Sequence, residues 1–153
     1  MISFRQVGSG ENVLLLHGLF GMGANLKSIS RALCPHFSVY SVDLPDHGSS
    51  SWLSGRDIRI YAWILNYEGL RRDYPLLSLA PDSAGAQYHR PSLFVRGQKS
   101  SFISKESEGS IRKIFPESMI LTVAGAGHWV HFDKPDQFNA IALKFLSEVS
   151  DIV

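Results

Sequence analysis

The sequence predicts an α/β fold in which a mostly parallel sheet is flanked by helices. Two observations carry that expectation. Short, almost continuously apolar runs end at glycine-rich turns, and stretches with apolar residues at helical spacing follow them. Strands that interleave with helices place helices on both faces of a parallel sheet.

The elements read as follows. Asn12 to His17 is an apolar run closed by Gly18-Leu19-Phe20-Gly21-Met22-Gly23, as expected for a strand buried on both faces. Leu26, Ile29 and Leu33 recur at helical spacing from Ala24 to Cys34, and Pro35 stops the helix. Phe37 to Val42 is a second strand, leaving through the turn-rich Asp43-Leu44-Pro45-Asp46-His47-Gly48. Between Ser49 and Arg90 the prolines Pro75 and Pro81 and the aromatic-rich Tyr61 to Tyr67 predict one or two helices with irregular ends. Ser92 to Gly97 is another buried strand, Lys105 to Phe115 a helix, and Met119 to Val123 a fourth strand. The last helix starts with Asp133 as N-cap and Pro135 in its first turn, and its apolar face comprises Phe138, Ile141, Ala142, Phe145, Leu146 and Val149.

Composition narrows the function classes. A length of 153 residues supports one hydrophobic core, and 44% hydrophobic with 19% charged residues is ordinary for a globular chain. A formal charge of +1 provides no field for nucleic acid or an anionic membrane, so a neutral small molecule is the expected partner. The single cysteine, Cys34, lies in an apolar stretch and is expected to be a buried structural thiol. Met1 to Gln6 shows neither a secretory signal nor an anchor, which makes the cytoplasm the expected location. The six histidines lack metal-ligand spacing with carboxylates, so neither a metal nor a cofactor is implied.

Three motifs can carry chemistry. His17-Gly18-Leu19-Phe20-Gly21 follows a strand, and such a loop exposes backbone N–H groups at the carboxyl edge of a parallel sheet, where they can stabilise an oxyanion. Gly125-Ala126-Gly127-His128-Trp129-Val130-His131 places His128 just beyond a strand, where an imidazole can serve as general base and then as general acid. His131 is expected to orient Trp129 or the backbone. Asp43-Leu44-Pro45-Asp46-His47-Gly48-Ser49-Ser50 carries Asp43 and Ser50 as acceptors for turn N–H groups.

In this order the three motifs resemble those of the α/β-hydrolase superfamily, in particular small bacterial serine esterases. The resemblance covers Asn12 to Ser51 and Pro91 to Val149. It implies a single abridged domain over 1–153: the N-terminal half of the sheet in 1–51, a cap-like helical connection in 52–90 and the C-terminal half in 91–153. It also implies a carboxylic ester or thioester hydrolase for short acyl substrates, whose partner is a small acyl ester or other apolar molecule. His128 then matches the triad histidine, the Leu19 and Phe20 amides the oxyanion donors, and His17, Gly18 and Trp129 the substrate-binding positions. Asp43, Pro45, His47 and Gly48 match a structural strand exit.

The chain departs from that pattern at its centre. An esterase of this kind lifts its serine on a G-x-S-x-G strand-to-helix elbow, and no such pattern occurs here. Ser83, in Pro81-Asp82-Ser83-Ala84-Gly85, and Ser50 are the candidate substitutes, while the nucleophile and the acid that would orient His128 stay unassigned. The chain is roughly 100 residues shorter than the ~250 of an ordinary single α/β domain. By the resemblance, two strands fall in the gap, which would leave roughly 14 Å between their neighbours. Re-pairing of the two halves, or a domain-swapped homodimer, would close it. The alternative to a crippled esterase is a non-catalytic hydrolase remnant or a small-ligand-binding protein.

Overall fold

The computed structural model describes residues 1–19, 21–51 and 85–150, so Phe20, Ser83 and the helices expected across 52–84 lie outside the described residues. Two compact units divide the chain, Met1–Ala80 and Pro81–Val153.

In the first unit, β1 (Ser3–Val7), β2 (Asn12–Leu16) and β3 (Ser38–Asp43) form a sheet of order β1-β3-β2. β2 runs parallel to β3, from Asn12 opposite Ser38 to Leu16 opposite Val42. β1 runs antiparallel to β3, from Ser3 opposite Asp43 to Val7 opposite Val39. A 3-10 turn (Gly23–Leu26) leads into α1 (Lys27–Leu33), whose Ile29 and Leu33, one turn apart, are buried with Phe37 and Val39. Leu33 is 1% exposed, and burying such a side chain stabilises the fold by about 2 kcal/mol.

Two expectations for this unit need correction. β1 has no counterpart in the sequence reading, because Arg5 and Gln6 interrupt its apolar character. β2 is not buried on both faces: Leu14 and Leu16 are 60% and 55% exposed, whereas Val13 and Leu15 are half-buried. Among the described residues β2 is an edge strand with β3 as its one neighbour, and the fully buried position falls on the central strand, at Val39.

In the second unit, β4 (Ser92–Gly97) and β5 (Ser118–Val123) pair in parallel, with α2 (Lys105–Ile114) between them in sequence. Ser104 caps α2 by accepting the Ser107 N–H at 3.2 Å. A short helix, α3 (Val130–Asp133), precedes α4 (Pro135–Ser150). The core holds Val123, Ala126 and Val130, against which Val95, Phe138 and Ile141 pack. β4 is half-buried rather than buried along most of its length. Asp133 is the last residue of α3 rather than an N-cap, because its carboxylate is drawn to the Gly127 N–H at 2.6 Å.

Among the described residues the first unit holds the three-stranded sheet and the second the two-stranded one. No helix among these residues is long and apolar enough to cross a membrane.

Candidate functional site

In the first unit the loop after β2 is fastened from both sides. His17 is 5% exposed, and its two ring nitrogens are occupied: Nδ1 donates to the Gly18 carbonyl at 2.8 Å, and Nε2 accepts the Leu44 N–H at 3.0 Å. The second bond fixes the tautomer, since an acceptor nitrogen carries no proton. Gly18 also accepts the Gly21 N–H at 3.0 Å, closing a tight turn with Leu19 at its exposed tip. At the far end of the loop, Gly23 N–H donates to Asp43 Oδ1 at 2.7 Å.

Asp43 thereby joins two turns, because its Oδ2 accepts the Ser49 N–H at 2.8 Å. Gly48 (φ +53°) passes so close that a Cβ there would lie 2.3 Å from the carboxylate. His47 donates from Nδ1 to the Pro45 carbonyl at 2.8 Å and sets its ring 4.9 Å from that of His17. Ser50 is 4% exposed; its Oγ accepts the Ser3 N–H at 2.8 Å and donates to the Asp43 carbonyl at 2.5 Å. A hydroxyl so placed has its proton committed to a backbone carbonyl.

The second unit presents its histidine differently. Gly125, at φ +71°, turns the chain after β5, and its N–H donates to Gln98 Oε1 at 2.9 Å. Gln98 N–H reaches the Val123 carbonyl at 3.0 Å, and Lys99 N–H the Ala126 carbonyl at 2.9 Å. Gly97 lies against the same loop, so close that a Cβ would stand 1.9 Å from the Gly127 carbonyl oxygen. On this anchored turn the His128 ring is exposed and stacks on Phe102 with centroids 4.1 Å apart. No hydrogen bond to its nitrogens is found among the described residues. Trp129, 63% exposed, meets Phe132 edge-on at 6.2 Å.

His131, half-buried in α3, packs edge-on against Phe138 with ring centroids 5.9 Å apart. Burial holds its imidazole below the ordinary value; the Asp133 carboxylate pulls the other way and the His128 charge adds to the depression. The described residues hold no group of three His, Cys, Asp or Glu that could bind a metal. Cys34 is half-buried rather than buried, because it closes α1 at the edge of a cavity.

Sequence reasoning missed Gln98, Asp133 and Phe102. Gln98 was legible only as the residue following a strand, and neither Asp133 nor Phe102 belongs to a spacing pattern that announces its contact with the histidine loop.

Comparison with solved structures gives the fold. An esterase from a marine microorganism superposes with a TM-score of 0.85 at 19% identity, over 94% of this chain and 98% of that one. The architecture is an abridged α/β-hydrolase fold. An esterase of Thermogutta terrifontis superposes with a TM-score of 0.74 at 16% identity, over 97% of this chain and 93% of the other. Among curated proteins, the mouse sn-1-specific diacylglycerol lipase ABHD11 is 34% identical over 87 residues, which are 57% of this chain and 28% of the lipase. Esterase YbfF of Escherichia coli is 33% identical over 61 residues, 40% of this chain and 24% of that enzyme. The relatives and structural neighbours are α/β-hydrolase esterases and lipases, and the chain spans about a quarter of the length of the curated relatives it matches. No family model matches the sequence.

Proposed function

We propose that the chain acts in carboxylic ester or thioester hydrolysis on short acyl substrates, with His128 as general base and the Leu19 and Phe20 amides as oxyanion donors. The observation that carries this reading is the His128 turn. A strand end, four hydrogen bonds and a glycine contact hold the backbone, yet the ring is left exposed with its nitrogens unclaimed among the described residues. A general base needs that combination, because its backbone must be fixed while its lone pair stays available to a proton donor. The esterases and lipases among the relatives support the reaction class. Trp129 and Phe132 supply exposed aromatic area beside the base, suited to an apolar acyl or alcohol group.

Turnover in this reading is slow. The chain has no G-x-S-x-G elbow, and loss of a triad member costs several orders of magnitude. A specific observation favours a second reading, the non-catalytic remnant: no carboxylate accepts from His128 among the described residues, and the Ser50 hydroxyl is buried and hydrogen-bonded. Hydrolysis of p-nitrophenyl butyrate by the full chain and by His128→Ala separates the two. The esterase reading expects a rate above background that disappears in the variant, and equal rates would overturn it. In the same proposal a domain-swapped homodimer would form along the edges of β2 and β4 that pair with no described strand, which size exclusion of the full chain tests.

A further inference from the structure

The first unit contains a concavity that none of the proposed esterase residues lines. A cavity of about 710 Å³ lies along β1, α1 and the turn that begins at Gly23. Its volume falls in the range of small-molecule sites, about 300–1,000 Å³. Three cations line it: Arg5 from β1, and Lys27 and Arg31 from α1. Lys27 and Arg31 are four residues apart and so share one helical face. None of the three forms an ion pair with a described residue. Asp43 is the one carboxylate among the described lining residues, and both its oxygens are engaged by the Gly23 and Ser49 amides. Val7, Met22 and Ala24 add apolar surface.

Three cations that line one hollow, with no ion-pair partner among the described residues, repel one another and gather positive potential there. An anion relieves that repulsion, and an apolar body attached to it removes the hollow's surface from water. Arginine forks suit the planar or tetrahedral oxygens of carboxylate and phosphate. A nucleic acid or a membrane surface is a poorer match, since the chain's formal charge is only +1 and the cations are gathered in a concavity.

We propose that this groove binds a small amphipathic anion, a phosphate or carboxylate head on a short apolar body, through Arg5, Lys27 and Arg31. The ligand would touch Met22 and Gly23 and so rest on the far end of the loop that begins at His17. The inference is independent of whether the chain hydrolyses esters.

The test is a ¹⁵N NMR titration of the full chain with hexyl phosphate, sodium hexanoate and hexanol. The expected result is saturable shifts of the Gly23, Ser30 and Arg31 amides with at least one of the two anions, and the stronger of them identifies the head group. Hexanol at the same concentration leaves these amides in place. Arg5→Gln and Lys27→Gln, exposed substitutions on different elements, each weaken anion binding about tenfold while preserving spectral dispersion. Absence of saturable shifts with both anions, equal shifts with hexanol, or unchanged affinity in both folded variants would overturn the proposal.

Discussion

His17 and His128 occupy corresponding places, each on the loop that leaves the carboxyl end of a parallel strand, and the molecule uses them in opposite ways. His17 is buried, and its two nitrogens fasten the loop to the exit of β3. His128 is exposed and stacked on one aromatic ring, and its backbone is held by bonds in which the imidazole takes no part. Residue type and topological position are therefore poor guides to role. What distinguishes a fastener from a candidate base is whether neighbouring backbone has already claimed the nitrogens.

The firmest way to break this comparison is to disturb what anchors the His128 turn. In Gly97→Ala the new methyl would meet two backbone carbonyl oxygens, at 1.9 Å from Gly127 and 2.5 Å from Ala126. Backbone cannot swing aside as a side chain can, so we expect a loss of about 3 kcal/mol in urea unfolding. A loss below about 0.5 kcal/mol would mean that the turn yields freely and that His128 is not held in place by β4.

The next effect separates the two histidines directly. His17→Ala leaves the Leu44 N–H without its acceptor and opens a void beside His47, at a cost of about 2 kcal/mol. His128→Ala removes an exposed ring and should leave stability within about 0.5 kcal/mol of the parent. Urea midpoints in the reverse order would invert the assignment of fastener and free base.

The strand–turn–helix order and the placement of His128 after β5 were legible because they rest on local patterns: apolar runs, glycine turns and helical spacing. Burial was less legible. Asn12 to His17 reads as a fully buried strand, but burial depends on which strands lie beside it, and β2 has β3 alone among the described residues. β1 escaped notice because its polar Arg5 and Gln6 mask a strand held by pairing with β3 rather than by an apolar face. The bonds from Gln98 and Asp133 to the His128 turn join residues distant or unpatterned in sequence, so no periodicity could reveal them.

Ser50 sharpens the contrast between fastening and reacting groups. Its buried hydroxyl bridges the Ser3 amide and the Asp43 carbonyl, and Ser50→Ala should cost about 1 kcal/mol by leaving the Ser3 N–H without that acceptor. Any p-nitrophenyl butyrate hydrolysis, expressed per folded molecule, should be unchanged. Loss of that rate with an unaltered circular dichroism spectrum would instead make Ser50 the nucleophile.

The smallest effect concerns His131, which lies in α3 three residues after His128 and packs edge-on against Phe138. Burial depresses its pKa, Asp133 partly offsets the depression and the His128 charge deepens it. The unfolded chain, with an ordinary imidazole near 6.5, therefore takes up the proton at a higher pH than the folded protein does. This contribution is complete above about pH 6.5 and is lost as the pH falls towards and through the lowered folded value. Between pH 7.5 and 5.5 the melting temperature of the parent should fall further than that of His131→Gln, whose side chain does not titrate. Groups common to both proteins cancel in that difference, and an equal or larger fall in the variant would show that burial does not hold the His131 imidazole below its ordinary value.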